Sequence, residues 1–298
     1  ATCIQRALIY LSYPTGIQGN YSIDGDFGAG TNKGLAHFLR EWDMNELRDE
    51  NGNMVGDDKL ILPATYKTVK TVIPTFNTIP VKQKTIEILF RAVIKASEKK
   101  EIYLRDVEKA ANNLDSIQNR SILSVNEIID ELRNEIKIAA NYGKTKGFDI
   151  KPWWIAAFVK TETGGLPRPK FEHHWLYNYY SKKTNGGKIN DKTLVNIREC
   201  RFNSTSFGLG QLMGANHTVT NLATSATELF YMSEEEQLKV MVDFLFKYKD
   251  TCSVVLKADV EDASEVEACV KTYNGPSYKT NDYHNLLYKY VKQAIKHW

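Results

Sequence analysis

Apolar residues along this chain recur at spacings of three and four, the period of helices that bury one face. Ile4, Ala7, Leu8 and Leu11 mark a first short helix, and Leu35, Phe38, Leu39 and Trp42 mark a second. Ile86, Leu89, Phe90, Val93 and Ile94 form a third stripe that reads as core. Val125, Ile128, Ile129, Leu132 and Ile136 follow a Ser124 to Glu127 capping box, in which each side chain satisfies a backbone N–H at the helix start. Ser233 and Glu236 open another helix in the same way, with Leu238, Met241, Val242 and Leu245 on its stripe, and Leu286, Leu287, Tyr290, Val291 and Ala294 carry a last one. The pattern predicts a mostly α chain.

Three stretches follow from the breaks in this pattern. Residues 1–80 end in "VIPTFNTIPVKQK", where Pro74 and Pro80 bracket an extended linker. Residues 81–142 read as a helical linker or subdomain, in which "ASEKKE" is a solvated face and no chemistry stands out. Residues 143–298 hold the unusual residues.

Composition narrows the class only a little. With 42% hydrophobic and 25% charged residues over 298 positions, the chain has material for two cores. Its apolar runs are too short to span a bilayer, and "ATCIQRALIYLSYPTG" lacks the basic region and cleavable apolar core of a secretory signal. Ala1 fits either removal of an initiator Met or cleavage from a precursor. Net charge is +3, and the mild basic bias beyond residue 80 is too weak for nucleic acid. Cys3, Cys200, Cys252 and Cys269 lack the spacing of a zinc site or a disulfide scaffold, so buried free thiols are expected.

One acid is oddly placed. "WWIAAFVKTET" starts behind Pro152, a favourable first-turn residue, and is stopped by Gly164 and Gly165. Glu162 falls in its last turn, on the face of Ile155, Phe158 and Val159. Apolar neighbours and the negative end of the helix dipole both disfavour an ionised carboxylate there. Such a carboxyl is suited to donate a proton, whereas the plain alternative is an exposed acid at a frayed helix end. A glycosidic oxygen leaves poorly until a nearby acid protonates it, so a glycosidase is the chemistry this arrangement serves.

The blocks "FVKTETGG", "FEHHWLY", "SFGLGQLMGANH", "SEEEQL" and "YNGPSYKTNDYH" occur in this order across residues 147–298, and together they resemble the N-acetylmuramidase family of phage endolysins. Three of them also resemble, more loosely, the Glu, Gln-x-Met and Tyr-Asn-x-Gly blocks of lytic transglycosylases and goose-type lysozymes. The resemblance implies a helical lysozyme-like catalytic domain in which Glu162 is the acid cleaving between N-acetylmuramic acid and N-acetylglucosamine. Near the start, Asp24-Gly25-x-Phe27-Gly28-x-x-Thr31 is similar to the small three-helix peptidoglycan-binding domain found beside many cell-wall hydrolases, with "QGNYS" as an insertion. Asp24, Asp26, Phe27, Gly28 and Thr31 are then the expected wall-binding residues, with Thr31 also placed to cap the next helix.

The other blocks have chemistry of their own. Gly208, Gly210 and Gly214 do not match the spacing of a dinucleotide loop, but they let backbone approach a ligand, and Gln211 offers a donor and an acceptor to an acetamido group. Tyr273 and Tyr278, flanking the turn after Asn274, either stack on sugar faces or pack in the core. Glu172 is a second catalytic carboxylate, a partner of His174 that shapes the cleft, or a metal ligand, though adjacent histidines rarely share one metal; the family resemblance favours His174, because Arg usually stands where this chain has His173. Ser206 or Thr163 hydroxyls could position water.

The expected protein is therefore a phage lysin that binds peptidoglycan glycan strands, with no metal, cofactor, nucleic acid or membrane insertion. It is a monomer unless virion-associated, and acts on the periplasmic or wall side after host lysis or from the virion. The alternatives are a lytic transglycosylase giving 1,6-anhydro products, a zinc amidase using His173 or His174, His217, His284 and Cys200, and a non-catalytic virion wall-binding protein. No HExxH or CxxC spacing supports the amidase. Wall-degrading activity is expected to survive a strong chelator; its loss on chelation and return with zinc would reinstate that alternative.

Overall fold

Helices dominate and strands are few, as the pattern predicts and consistent with the mostly α, lysozyme-like class that the resemblance implies. The computed structural model describes residues 1–16, 20–41, 83–98, 114, 120–172, 175 and 201–298. The chain forms two units, each assembled from separate segments.

The first unit comprises Ala1–Asn119, Pro169–Ser206 and Met213–Ala215. Its helices α1 (Thr2–Tyr10), α2 (Ala29–Glu41) and α3 (Gln83–Glu98) meet around α1, which packs on both others. Ala7, Leu8, Leu11, Leu35 and Phe38 are buried as the periodicity predicts. In α3 the buried strip is Ile88, Leu89, Ala92 and Val93, whereas Phe90 and Ile94, expected in the core, are 39% and 57% exposed. Both stripes fit the helical period, and contact with α1 selects the one that is buried. Trp42 and most of the proline-bracketed linker lie outside the described residues.

Strand β1 (Lys170–Phe171) pairs antiparallel with β2 (Thr205–Phe207), with Lys170 opposite Ser206 and Phe171 opposite Thr205; β3 (Leu212–Met213) completes the order β1-β2-β3. Arg201 is fully buried, its guanidinium 4.1 Å from the Tyr13 ring centre and 4.8 Å from that of Phe171. Tyr21 donates to the Ser12 carbonyl at 2.9 Å and lies 3.4 Å from the Thr205 hydroxyl. Residues 169–172 and 201–206 are thus built into the same core as the N-terminal helices.

The Asp-Gly turn of this unit is organised from below by Gln5, which is completely buried. Its amide nitrogen donates to Asp24 Oδ1 (2.6 Å), the Asp26 carbonyl (3.0 Å) and Thr31 Oγ1 (3.0 Å), and its oxygen accepts from the Gly25 N–H (3.0 Å). Thr31 is not the cap expected from sequence, because α2 starts two residues earlier and the Thr31 hydroxyl reaches back to the Asp26 carbonyl instead. Helix α2 lies so close to the preceding loop that a Cβ on Gly30 or Gly34 would fall 2.4 Å from the carbonyl oxygens of Thr15 and Pro14.

The second unit comprises Arg120–Arg168, Phe207–Leu212 and Asn216–Trp298. It contains α4 (Val125–Thr145), α5 (Pro152–Glu162), α6 (Ala226–Tyr231), α7 (Glu234–Lys247), α8 (Lys249–Leu256), α9 (Glu267–Asn274) and α10 (Tyr283–His297). Both capping boxes form as expected, at Ser124 with Glu127 and at Ser233 with Glu236. Helix α4 packs on α7, and α5 lies against α4 and α10. Asp243, buried in α7, accepts from Tyr142 (2.9 Å) and Thr220 (2.5 Å) and pairs with Lys146, fastening α7 to α4.

The cysteines differ from expectation. Cys252 and Cys269, both buried, form a disulfide between α8 and α9 with Cα atoms 4.8 Å apart. Their sequence spacing carries no signal because the packing of two helices brings them together. Closing a loop of this size stabilises a fold by about 3 kcal/mol in the chain-entropy model. Cys3 is an exposed free thiol rather than a buried one, and Cys200 lies outside the described residues.

Replacing Gln5 by Ala leaves buried polar groups of the Asp24–Thr31 turn without their partner. The variant is expected to lose about 2–4 kcal/mol of stability, read from urea denaturation.

Candidate active site

The site begins with α5. Trp154, Ile155, Ala156, Ala157, Phe158 and Val159 are all buried, so this helix presents no single apolar stripe and is enclosed on every side. The expected stripe of Ile155, Phe158 and Val159 is part of this wider burial. Glu162 is the last residue of the helix and is partly exposed. Gly164 and Gly165 follow with φ of 58° and 83°, and turn the chain away.

The Tyr283 hydroxyl donates a hydrogen bond to Glu162 Oε1. Tyr283 is the first residue of α10 and sits, 5% exposed, at the head of a buried line that continues through Leu287, Val291 and Ala294. Sequence reasoning missed it. The signal was available, since the α10 stripe extended back by one turn ends on this tyrosine. Burial pushes the Tyr283 phenol well above its ordinary range, and the Glu162 charge pushes it further. The Tyr273 phenol is raised in the same way, first by burial and then by Glu162.

Beside the acid runs the glycine loop 208–211, gripped by side chains from three helices. The Leu209 N–H donates to Gln237 of α7 at 3.0 Å. The Leu209 carbonyl accepts from Thr163, the residue closing α5, at 3.2 Å. The Gly210 carbonyl accepts from Tyr273 of α9 at 2.7 Å. A Cβ on Gly210 would lie 2.8 Å from the Tyr273 hydroxyl and 3.0 Å from Met241, so any larger residue here would push Tyr273 off the loop.

Gln211 follows in the left-handed region, at φ 47°. For a residue with a Cβ this costs on the order of 1–3 kcal/mol, and such conformations cluster at functional sites. Its amide nitrogen offsets part of that cost by donating to the carbonyls of Gly208 and Arg168, both at 3.1 Å. The nitrogen is therefore committed to the protein, and the amide oxygen is the atom with which Gln211 can meet a ligand. Thr163 is likewise engaged: its one hydroxyl hydrogen is within reach of the Val159 and Leu209 carbonyls, and its oxygen accepts the Gly165 N–H.

The remaining expected residues fall in several places. Tyr273 packs on Phe158 at 4.7 Å and Phe244 at 5.4 Å, with its hydroxyl on the loop. Tyr278 is buried, its hydroxyl donating to Glu267 at 2.8 Å and its ring against His284, which is a core position and not an open stacking face. Asn274 ends α9 and is partly exposed. Glu172 and Ser206 belong to the first unit, where Glu172 pairs with Lys170 at 2.9 Å and Ser206 donates to Met213 Sδ at 3.3 Å. His173 and His174 lie outside the described residues. Among the described residues no group of three or more His, Cys, Asp or Glu is arranged to hold a metal ion, and no helix is long and apolar enough to cross a membrane.

Residues 195–294 match the family model described as Muramidase, N-acetylmuramidase. The matched segment contains the glycine loop, Gln211, Gln237, Tyr273 and Tyr283, while Glu162 precedes it. No curated protein matches the chain.

The raised phenols set an alkaline dependence. Tyr273 and Tyr283 hold their protons in the folded state at pH values where the unfolded chain, with phenols near pKa ~10, releases them. Their contribution to stability is complete below about pH 10 and is lost as pH rises from there toward the folded values. Urea midpoints measured from about pH 9 to about pH 11 should fall for the wild type, and fall less steeply for Tyr283→Phe, which has one such phenol fewer.

Proposed function

We propose that this chain is a peptidoglycan muramidase that cleaves between N-acetylmuramic acid and N-acetylglucosamine, with Glu162 as general acid. The hydrogen bond from Tyr283 to Glu162 carries the reading, because it joins a helix-end carboxyl to a residue inside the matched segment. The phenol orients the carboxyl, and the proton of the neutral acid passes to the glycosidic oxygen as the bond to the anomeric carbon breaks. The Gln211 oxygen then suits the N–H of a sugar acetamido group. Water adds to the anomeric carbon, giving up a proton that restores the Glu162 acid, and leaves a reducing N-acetylmuramic acid end.

In this reading the N-terminal helices are a wall-binding module, and the protein is a phage lysin reaching the wall at host lysis or from the virion. The Cys252–Cys269 disulfide suits work outside the reducing cytoplasm. A second reading, transglycosylation, draws support from the same tyrosine: one glutamate held by a phenol can act as acid and then as base while the sugar's own 6-hydroxyl attacks.

Purified peptidoglycan digested by the wild type should yield fragments ending in reducing N-acetylmuramic acid by mass spectrometry. Ends lighter by one water, the 1,6-anhydro form, would transfer the assignment to a transglycosylase, and released peptides with intact glycan would overturn both. Glu162→Gln keeps the shape but has no proton to give, and should lower the rate by about 10²–10⁴-fold. A variant retaining a tenth of wild-type activity would remove Glu162 from the role.

A further inference from the structure

The "SEEEQL" block contains more than a helix cap. Ser233 and Glu236 close the capping box of α7, but Gln237, the next residue, turns away from the cap toward the glycine loop. Its amide oxygen accepts the Leu209 N–H at 3.0 Å, and its amide nitrogen donates to the Met232 carbonyl, just past the end of α6, at 2.9 Å. The aliphatic part of the side chain fills the space over Gly208, where a Cβ would come within 3.0 Å of Gln237 Cγ. Gly208 itself has φ of 71°. The amide oxygen and the stem of one side chain thus fix one turn of the loop, while the amide nitrogen is anchored on Met232.

We propose that Gln237 is a positioning residue of the active site, which holds the 208–211 loop in the conformation that presents Gln211 to the N-acetyl group of the substrate. The inference rests on the muramidase reading above. Gln237 acts through Leu209 and has no contact with substrate. Its place in the chain of contacts is defined at both ends: Gln237 holds the Leu209 N–H, Thr163 beside the acid holds the Leu209 carbonyl, and Gln211 two residues on is left in a strained φ. A loop carrying such strain relaxes when an anchor is removed, and the group it presents moves with it. An amide of this length supplies an acceptor at one end and a donor at the other, which an ionised carboxylate does not.

The test uses the full chain, soluble N-acetylated glycan fragments from peptidoglycan and two substitutions. Gln237→Leu removes both hydrogen bonds at similar volume; it should raise KM about tenfold with a smaller change in kcat, and speed hydrogen exchange at the Leu209 amide by about tenfold. Gln237→Glu tests the same point without relying on that variant's folding. Ionised, its carboxylate faces the Met232 carbonyl and has no donor; protonated, it again offers a donor and an acceptor. Its activity relative to wild type should therefore be depressed at neutral pH and recover as pH falls through the carboxyl range. A wild type active on the fragments beside a Gln237→Leu variant with unchanged KM, or a Gln237→Glu variant whose relative activity is flat with pH, overturns the proposal alone. An inert wild type overturns the functional reading and this proposal with it.

Discussion

A helix enclosed on every side must end somewhere, and in this protein it ends on a carboxyl. The six residues from Trp154 to Val159 are all buried, and each large apolar side chain among them contributes about 1.5–3 kcal/mol. An acid at a helix C-terminus costs about 0.3–1 kcal/mol through the dipole. Packing therefore exceeds the local penalty several times over, and fixes Glu162 where its own helix would not prefer it. The neighbouring elements answer to the same burial: α10 packs along α5 and brings Tyr283 to the carboxyl, and the residue after Glu162 anchors the glycine loop.

That loop is held because its backbone is bonded at successive peptides by Gln237, Thr163 and Tyr273. Its strained member, Gln211, keeps its conformation since the surroundings over-determine it. Fixed dipoles of this kind need no reorganisation when a substrate arrives, which is the condition for electrostatic stabilisation of a transition state. The disulfide ties α9 to α8 at Cys269, one helical turn before Tyr273.

The N-terminal unit follows a different logic. Its Asp-Gly turn is internally satisfied, with Asp24 and Thr31 both bonded by the buried Gln5. Burial acts to raise the Asp24 carboxyl, but donors from Gln5, Asp26 and Ser22 outweigh it and hold the group below its usual range. The motif thus shapes the loop, on which Asp24 and Asp26 stay exposed and Phe27 partly so. Residues 169–206 share this unit although they follow α5 in the chain, so a linear division into stretches does not coincide with the compact units.

Interactions between near neighbours in sequence were legible from the residues alone. Helical spacing gave α1 to α4, α7 and α10 but not the shorter α6, α8 and α9, the Ser–x–x–Glu boxes gave two helix starts, and Pro152 with Gly164 and Gly165 bounded the helix that ends in Glu162. Each rests on contacts within about four residues, so the sequence determines them without knowledge of the fold. The tertiary structure decided what spans longer distances: Tyr283 on Glu162 across 121 positions, Tyr273 on Gly210 across 63, Thr163 on Leu209 across 46 and the Cys252–Cys269 bond across 17. It also chose between stripes that periodicity leaves equivalent, exposing Phe90 and Ile94 and turning Tyr278 inward. A side chain's type and local spacing fix what it can bond, but only the packing of helices fixes which partner it meets.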